Sequence, residues 1–299
     1  MKGCARGCIL WVLGWGAAAG SFYYYFVSLR DFGPPMYWAS AVAGLLVVAA
    51  IGYALGIGTA YRERRLLLDA MAGTPPVDGE WAAVSGAIHA TTPLTAPFSG
   101  QKVVAYEYKV DRHERHGRTS SQVVYFDGKA LVPSSITTRH GSVRILCVPA
   151  FTDVTAESLD SSHAVKRAQA YLAATEFAHY ETSEKRRTRL DEEWTDADGN
   201  FRADWQYNTA QIDLTDNFRL EEKHIKQNEQ VCAFGLYSRD RGGLIPHPNW
   251  AKHTRLMRGD PSKVAAQLRS RMIRYAVGVV VCSALVYGIV WWYGAEAGA

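Results

Sequence analysis

Residues 32–65 read FGPPMYWASAVAGLLVVAAIGYALGIGTAYRERR, with no charge from Phe32 to Tyr61 and three arginines, Arg62, Arg64 and Arg65, directly after. A helix needs roughly 20 apolar residues to cross about 30 Å of hydrocarbon, and this run exceeds that length. Two further stretches share the property: Gly7 to Leu29 and Tyr275 to Ala295 are also uncharged. Together they predict three transmembrane helices, at about 8–29, at 36–58 and within 260–294. The first could instead be a cleaved signal peptide, since Met1-Lys2, Arg6 and the small residues Ala17 to Ser21 fit that plan. Cleavage there would leave Phe22-Tyr23-Tyr24-Tyr25-Phe26 as a new terminus, a poor start for a soluble chain, so an uncleaved helix is expected.

Orientation follows from charge. Arg62, Arg64 and Arg65 follow the second span, Arg269, Arg271 and Arg274 precede the third, and Lys2 and Arg6 precede the first. The opposite ends carry little beyond the Arg30-Asp31 pair, so the positive-inside rule places the soluble part in the cytoplasm. Tyr37-Trp38 and Trp291-Trp292-Tyr293 fall at the outer ends, where amphipathic rings favour the head-group level. The six arginines form two basic collars suited to anionic lipid head groups, or simply to fixing topology. No span holds an internal ionisable residue, which argues against a pump or transporter. Small residues four apart, such as Gly16 and Gly20, Ala39 and Ala43, or Gly52 and Gly56, permit close helix packing. That packing is expected within the chain, with homo-oligomerisation through the same faces as the alternative.

Outward from the spans, residues 1–61 form a transmembrane hairpin, 62–73 a juxtamembrane helix stopping at Gly73, and 80–258 a soluble domain. Residues 260–294 form a helix capped by Asp260 that continues into the third span. The soluble domain alternates with period two. Val104, Tyr106, Tyr108 and Val110 mark one strand, Val143 to Cys147 another, and Gln230 to Ser238 a late one. Val123 to Val132 is expected to be a hairpin turning at Asp127-Gly128. One helix, capped at Ser161 or Ser162, carries Ala164, Ala168, Tyr171, Leu172 and Thr175 on its buried stripe. The fold class expected is therefore an α+β membrane protein, three transmembrane helices bearing a β-rich antiparallel domain, barrel- or sandwich-like, with one or two helices.

Arg189 to Tyr207 reads as a half-buried hairpin turning at Asp198-Gly199. Its apolar face would hold Trp194, Phe201, Trp205 and Tyr207, and Arg202, Asp204 and Gln206 would point to water. That apolar face is either core or a partner surface. Ala210, Ile212 and Leu214 alternate in the opposite phase, which asks for a break near Asn208-Thr209.

No catalytic motif is present: no nucleophile elbow, phosphate loop, zinc-protease helix or dinucleotide fingerprint. Cys4, Cys8, Cys147, Cys232 and Cys282 form no CxxC pair, so no structural metal site or disulfide framework is expected. His113 and His116 lie in a polar stretch that reads as a solvated loop. The formal net charge of +4 sits mainly beside the spans and does not suggest nucleic acid. No catalytic residue, cofactor or metal is assigned, and membrane lipids and other proteins are the partners expected.

Gly86-Ala-Ile-His89, Pro93-Leu-Thr-Ala-Pro97-Phe-Ser-Gly100 and Val103-Val-Ala-Tyr-Glu-Tyr108 resemble the opening blocks of the GIDE-type domain, also called BAM, "beside a membrane". Phe126-Asp-Gly128, Gly141-Ser-Val-Arg144, Gln230-Val-Cys-Ala-Phe-Gly235 and Gly242-Gly-Leu-Ile-Pro246 are similar to its later blocks. Relatives of the Mulan kind are membrane E3 ubiquitin ligases carrying a RING finger after the last span. Here Gly294 to Ala299 supply no zinc ligand, so the resemblance does not imply ligase activity unless a separate catalytic subunit provides it. It implies a RING-less, membrane-anchored sensor or scaffold at the cytoplasmic face of a bacterial inner membrane.

Overall fold

The computed structural model describes residues 2–29, 34–116, 119–179, 199–207, 218–247 and 253–297. Contacts divide the chain into two units, a helical one of residues 1–65 and 265–299 and a strand-rich one of residues 66–264. In chain order the elements are α1 (Lys2–Leu29), α2 (Pro34–Ala72), β1 (Trp81–Ala90), β2 (Leu94–Thr95), β3 (Lys102–His116), β4 (Thr119–Leu131) and β5 (Ser134–Thr138). Then come β6 (Gly141–Ile145), β7 (Ala150–Thr152), β8 (Glu157–Ser158), α3 (Ser162–Ala174), β9 (Ala178–His179) and β10 (Phe201–Gln206). The series ends with β11 (Phe218–Lys226), β12 (Gln230–Ser238), β13 (Gly243–Ile245), β14 (Arg255–Arg258) and α4 (Pro261–Ala297).

In the helical unit, α2 packs between α1 and α4. Trp15 Nε1 donates to Ala41 O at 3.1 Å, and Gly44 lies so close to Ala19 that a side chain there would meet its backbone. Tyr275 covers Gly56 and Tyr53 covers Gly278, a reciprocal pair of rings over glycines that draws α2 and α4 together. Ala39 packs with Phe22, Ile289, Val290 and Tyr293, so α2 and α4 run antiparallel and one end of the unit is aromatic. The small residues Ala39, Ala43 and Gly56 are thus used within the chain, whereas Gly16 and Gly20 meet nothing.

Two helices among the described residues are long and apolar enough to cross a membrane, Tyr37–Ala72 and Pro261–Tyr293. Only 17% and 6% of their apolar windows are buried, so Leu55, Val280, Leu285 and Trp291 stand exposed where a soluble protein would cover them. The expectation of three transmembrane helices is corrected to two. Helix α1 is not one of them: its uncharged run is interrupted by Gly14, Gly16 and Gly20 and by Tyr23 to Tyr25.

In the strand-rich unit, β1, β5, β6, β13 and β12 pair in turn and β12 closes back on β1, making a five-stranded barrel. Strands β14 and β7 extend the sheet past β12. A second sheet runs β8-β11-β3-β4-β10-β9, with β2 on β3. Strand β3 serves both cores. Val104 and Ala105 pack with Ile88, Ile136, Ile145 and Leu244 in the barrel, while Tyr106, Tyr108 and Val110 pack with Phe98 and Ala168 beneath α3. Each large apolar side chain so buried contributes about 1.5–3 kcal/mol relative to exposure. Helix α3 is capped by Ser161, which accepts from Ala164 N at 3.2 Å, and β12 spans Gln230–Ser238, the residues expected of the late strand.

Two local expectations are corrected. Strand β4 runs straight through Asp127-Gly128, with both residues paired to β3 and β10, so no hairpin turns there. Glycine is needed at 128 because the Tyr108 ring lies across it: a methyl group would stand 2.5 Å from Tyr108 Cε1 and 2.6 Å from Asp204 Oδ1. Strand β10 pairs with β4 along its length and with β9 at Trp205 and Gln206, so both its edges are taken there and the expected ribbon does not continue to that point. The other arm of that ribbon, 189–197, and the alternation at 210–214 lie outside the described residues.

Candidate functional site

Three groupings of polar side chains stand out in the strand-rich unit, and two of them are internal fasteners. Under α3, Asp204 is 8% exposed. Its Oδ1 accepts from Tyr108 OH at 2.7 Å and Tyr171 OH at 2.8 Å, and its Oδ2 accepts from Arg202 Nε at 2.9 Å. Burial and the neighbouring carboxylate push both phenols far above the ordinary tyrosine value, so they remain donors. The hydrogen bond from Arg202 to Asp204 raises the arginine further in turn. The expected solvated face of β10 is therefore overturned at Asp204, because α3 and Tyr171 cover it.

The second fastener centres on Glu222, fully buried on β11. Its carboxylate accepts from Phe98 N at 2.8 Å, Ser99 N at 3.3 Å and the Ser99 hydroxyl, and His224 Nδ1 stands 3.4 Å away. Burial opposes the charge, yet these donors outweigh it and hold the carboxyl below its ordinary value. Serine, histidine and glutamate meet here in the wrong order for nucleophilic catalysis. The hydroxyl donates to the carboxylate, and no imidazole lies between them to take its proton. The arrangement clamps the turn at residues 96–100, which Arg167 of α3 also holds through Phe98 O at 2.7 Å.

The third grouping is open. A cleft of ≈ 570 Å³ is bounded by the end of α2 and Thr74, by Val84 to Gly86 of β1, by Thr137 to His140 at the β5–β6 turn, and by Gln230, Asp260 and Pro261. The volume lies within the usual range for small-molecule sites, about 300–1,000 Å³. Local sequence builds it. Gly73 ends α2 in the left-handed region at φ +88°, with Thr74 N bonded to Asp69 O, and His140 Nε2 bonds to Gly73 O. The Thr138 hydroxyl accepts from His140 N at 3.1 Å and fixes the turn. Asp260 accepts from Ser262 N at 2.8 Å and from the Ser262 hydroxyl, and these bonds hold its carboxyl below the ordinary carboxylate range while capping α4.

The residues singled out by sequence are dispersed relative to this cleft. Trp205 is 6% exposed, Phe201 packs half-buried on the barrel core, and Tyr207 is half-buried with its hydroxyl on the Asp127 carboxylate, so none offers a free partner face. Trp194 lies outside the described residues. Arg62, Arg65, Arg269 and Arg274 are exposed on the helical unit, with Arg64 and Arg271 half-buried. Among the described residues no group of three metal-ligating side chains converges, and the His116 side chain falls outside them. Cys147 and Cys232 are buried, and burial pushes the Cys232 thiol up to about 12. Sequence reasoning singled out neither Arg139 nor His140 as a site residue. The available signal was the polar run Thr137-Thr-Arg-His140 closing a strand. No protein-family model, curated protein or solved structure matches this chain.

Proposed function

We propose that the chain is a membrane-anchored binding or regulatory module of the beside-a-membrane type, a sensor or scaffold. In this reading its strand-rich unit lies at the cytoplasmic face of a bacterial inner membrane. Two apolar helices with lipid-suited faces support the anchoring, and the flanking arginines support the orientation. The similarity of residues 86–108 and 230–246 to GIDE-type blocks supports the class. The observation that carries the reading is the cleft. It is open and lined by polar and apolar groups alike, it is bounded by Arg139 and His140, and it lacks a nucleophile paired with an oriented base, which suits binding rather than turnover.

The test compares protein solubilised in mild detergent with the variant Thr137→Trp, which fills the cleft from its exposed rim. Mass spectrometry of co-purifying molecules should show a species held by the parent protein and lost from the variant. An identical set from both would overturn the assignment of the cleft as the ligand site.

A further inference from the structure

We infer that the cleft takes the phosphate oxyanion of an anionic phospholipid head group, an inference that rests on the binding reading above. The charges bounding the cleft are unequally committed. Asp260 is occupied in capping α4. Elsewhere Arg202 pairs with Asp204, Arg219 with Glu221 and Arg258 with Glu229. Arg139 is exposed and makes no ion pair among the described residues, so the cleft presents an uncommitted guanidinium. Guanidinium groups match phosphate oxygens in paired, charge-assisted hydrogen bonds.

Three other features fit an oxyanion. The hydroxyls of Ser85 and Thr137 make no hydrogen bond within the described chain and can donate. His140 uses Nε2 on Gly73 O, and its Nδ1 makes no hydrogen bond among the described residues. Met71, Pro76, Val84 and Pro261 add apolar wall, suited to a glycerol backbone rather than a bare ion. The source follows from the chain. Residues 70–76 come just after Arg65 at the end of one apolar run, and residues 260–261 come just before Arg269 and the other. The oxyanions met beside those runs are lipid phosphates.

The experiment is isothermal titration of the full chain, in a non-ionic detergent, with dihexanoyl phosphatidylglycerol. Parallel titrations use dihexanoyl phosphatidylcholine, glycerol phosphate and inorganic phosphate. The expected result is saturable one-to-one binding of the phosphatidylglycerol. Arg139→Gln should weaken it by about tenfold or more, as loss of a charge-assisted pair requires, and Lys166→Gln, exposed on α3 and outside the cleft, should leave it unchanged. Phosphatidylcholine should bind at least about tenfold more weakly, because its own cation competes with Arg139 for the phosphate. Unfolding temperatures of the variants confirm that each remains folded. Glycerol phosphate binding as tightly as the lipid would overturn the lipid source, and undiminished binding by Arg139→Gln would overturn the site. If phosphatidylglycerol fails while Thr137→Trp still sheds a co-purified species, the head-group inference falls and the binding reading stands. If Thr137→Trp sheds nothing either, both fall.

Discussion

Replacing Gly128 with alanine puts a methyl group into the space occupied by Tyr108 and Asp204, at 2.5 Å from the ring and 2.6 Å from the carboxylate. Neither neighbour can yield freely. Tyr108 is 1% exposed and packed against Phe98 and Tyr171, with ring centroids 5.0 and 5.5 Å away. Overpacking of this kind costs about 1–3 kcal/mol. Displacing the tyrosine also strains its 2.7 Å bond to Asp204, and a bond to a charged acceptor is worth about 1.5–3 kcal/mol. The two terms overlap, so the expected loss is about 3 kcal/mol. For a unit of this size that lowers the unfolding temperature by about 6–12 °C. Thermal unfolding followed by near-UV circular dichroism, which reports the tyrosine cluster, measures it. In a Tyr108→Leu background most of the cost should vanish, because the clashing ring is gone. A loss below about 0.5 kcal/mol, or the same loss in both backgrounds, would refute the argument that glycine stands at 128 for the sake of this ring.

Trp205→Ala should destabilise the strand-rich unit by about 3–5 kcal/mol, as for a buried tryptophan, while any co-purified ligand persists; thermal unfolding and mass spectrometry read the two effects. Glu222 has a folded-state pKa below its ordinary 4.5, so its contribution is complete above that value and disappears as pH falls through the lower folded value. Unfolding temperature measured from pH 7 to pH 3 should accordingly fall more steeply for the parent than for Glu222→Gln. In the helical unit, Gly278→Leu collides with the Tyr53 ring, whose nearest atom would lie 2.8 Å from the new Cβ. It should increase protease susceptibility of the detergent-solubilised chain, whereas Gly16→Leu, with nothing nearby, should not.

Local rules made much of the strand-rich unit legible. Gly73 stops α2, Ser161 caps α3, and the alternation of Tyr106, Tyr108 and Val110 with Glu107 and Lys109 marks β3, because caps and period two depend on neighbouring residues alone. Tertiary packing hid the rest. Asp127-Gly128 has strong turn chemistry, yet the need to seat Tyr108 keeps the strand straight. The Arg202, Asp204 and Gln206 face looked solvated because alternation separates two faces without saying what covers each, and here α3 brings Tyr171 over Asp204. Helix α1 was read as a span from its lack of charge, and freedom from charge does not by itself make a run apolar enough to cross. The cleft was least legible, since Thr74, Ser85, Arg139 and Asp260 come from four separated segments that share no local pattern.

The proposed display of this cleft on the cytoplasmic side can be tested with one engineered thiol. Thr137→Cys places it on the exposed rim, in a background with Cys4 and Cys8 changed to serine; Cys147, Cys232 and Cys282 are buried. A membrane-impermeant maleimide should label this protein in inverted inner-membrane vesicles and leave it unlabelled in intact cells whose outer membrane has been permeabilised. Labelling in the intact cells, with none in the inverted vesicles, would contradict the account.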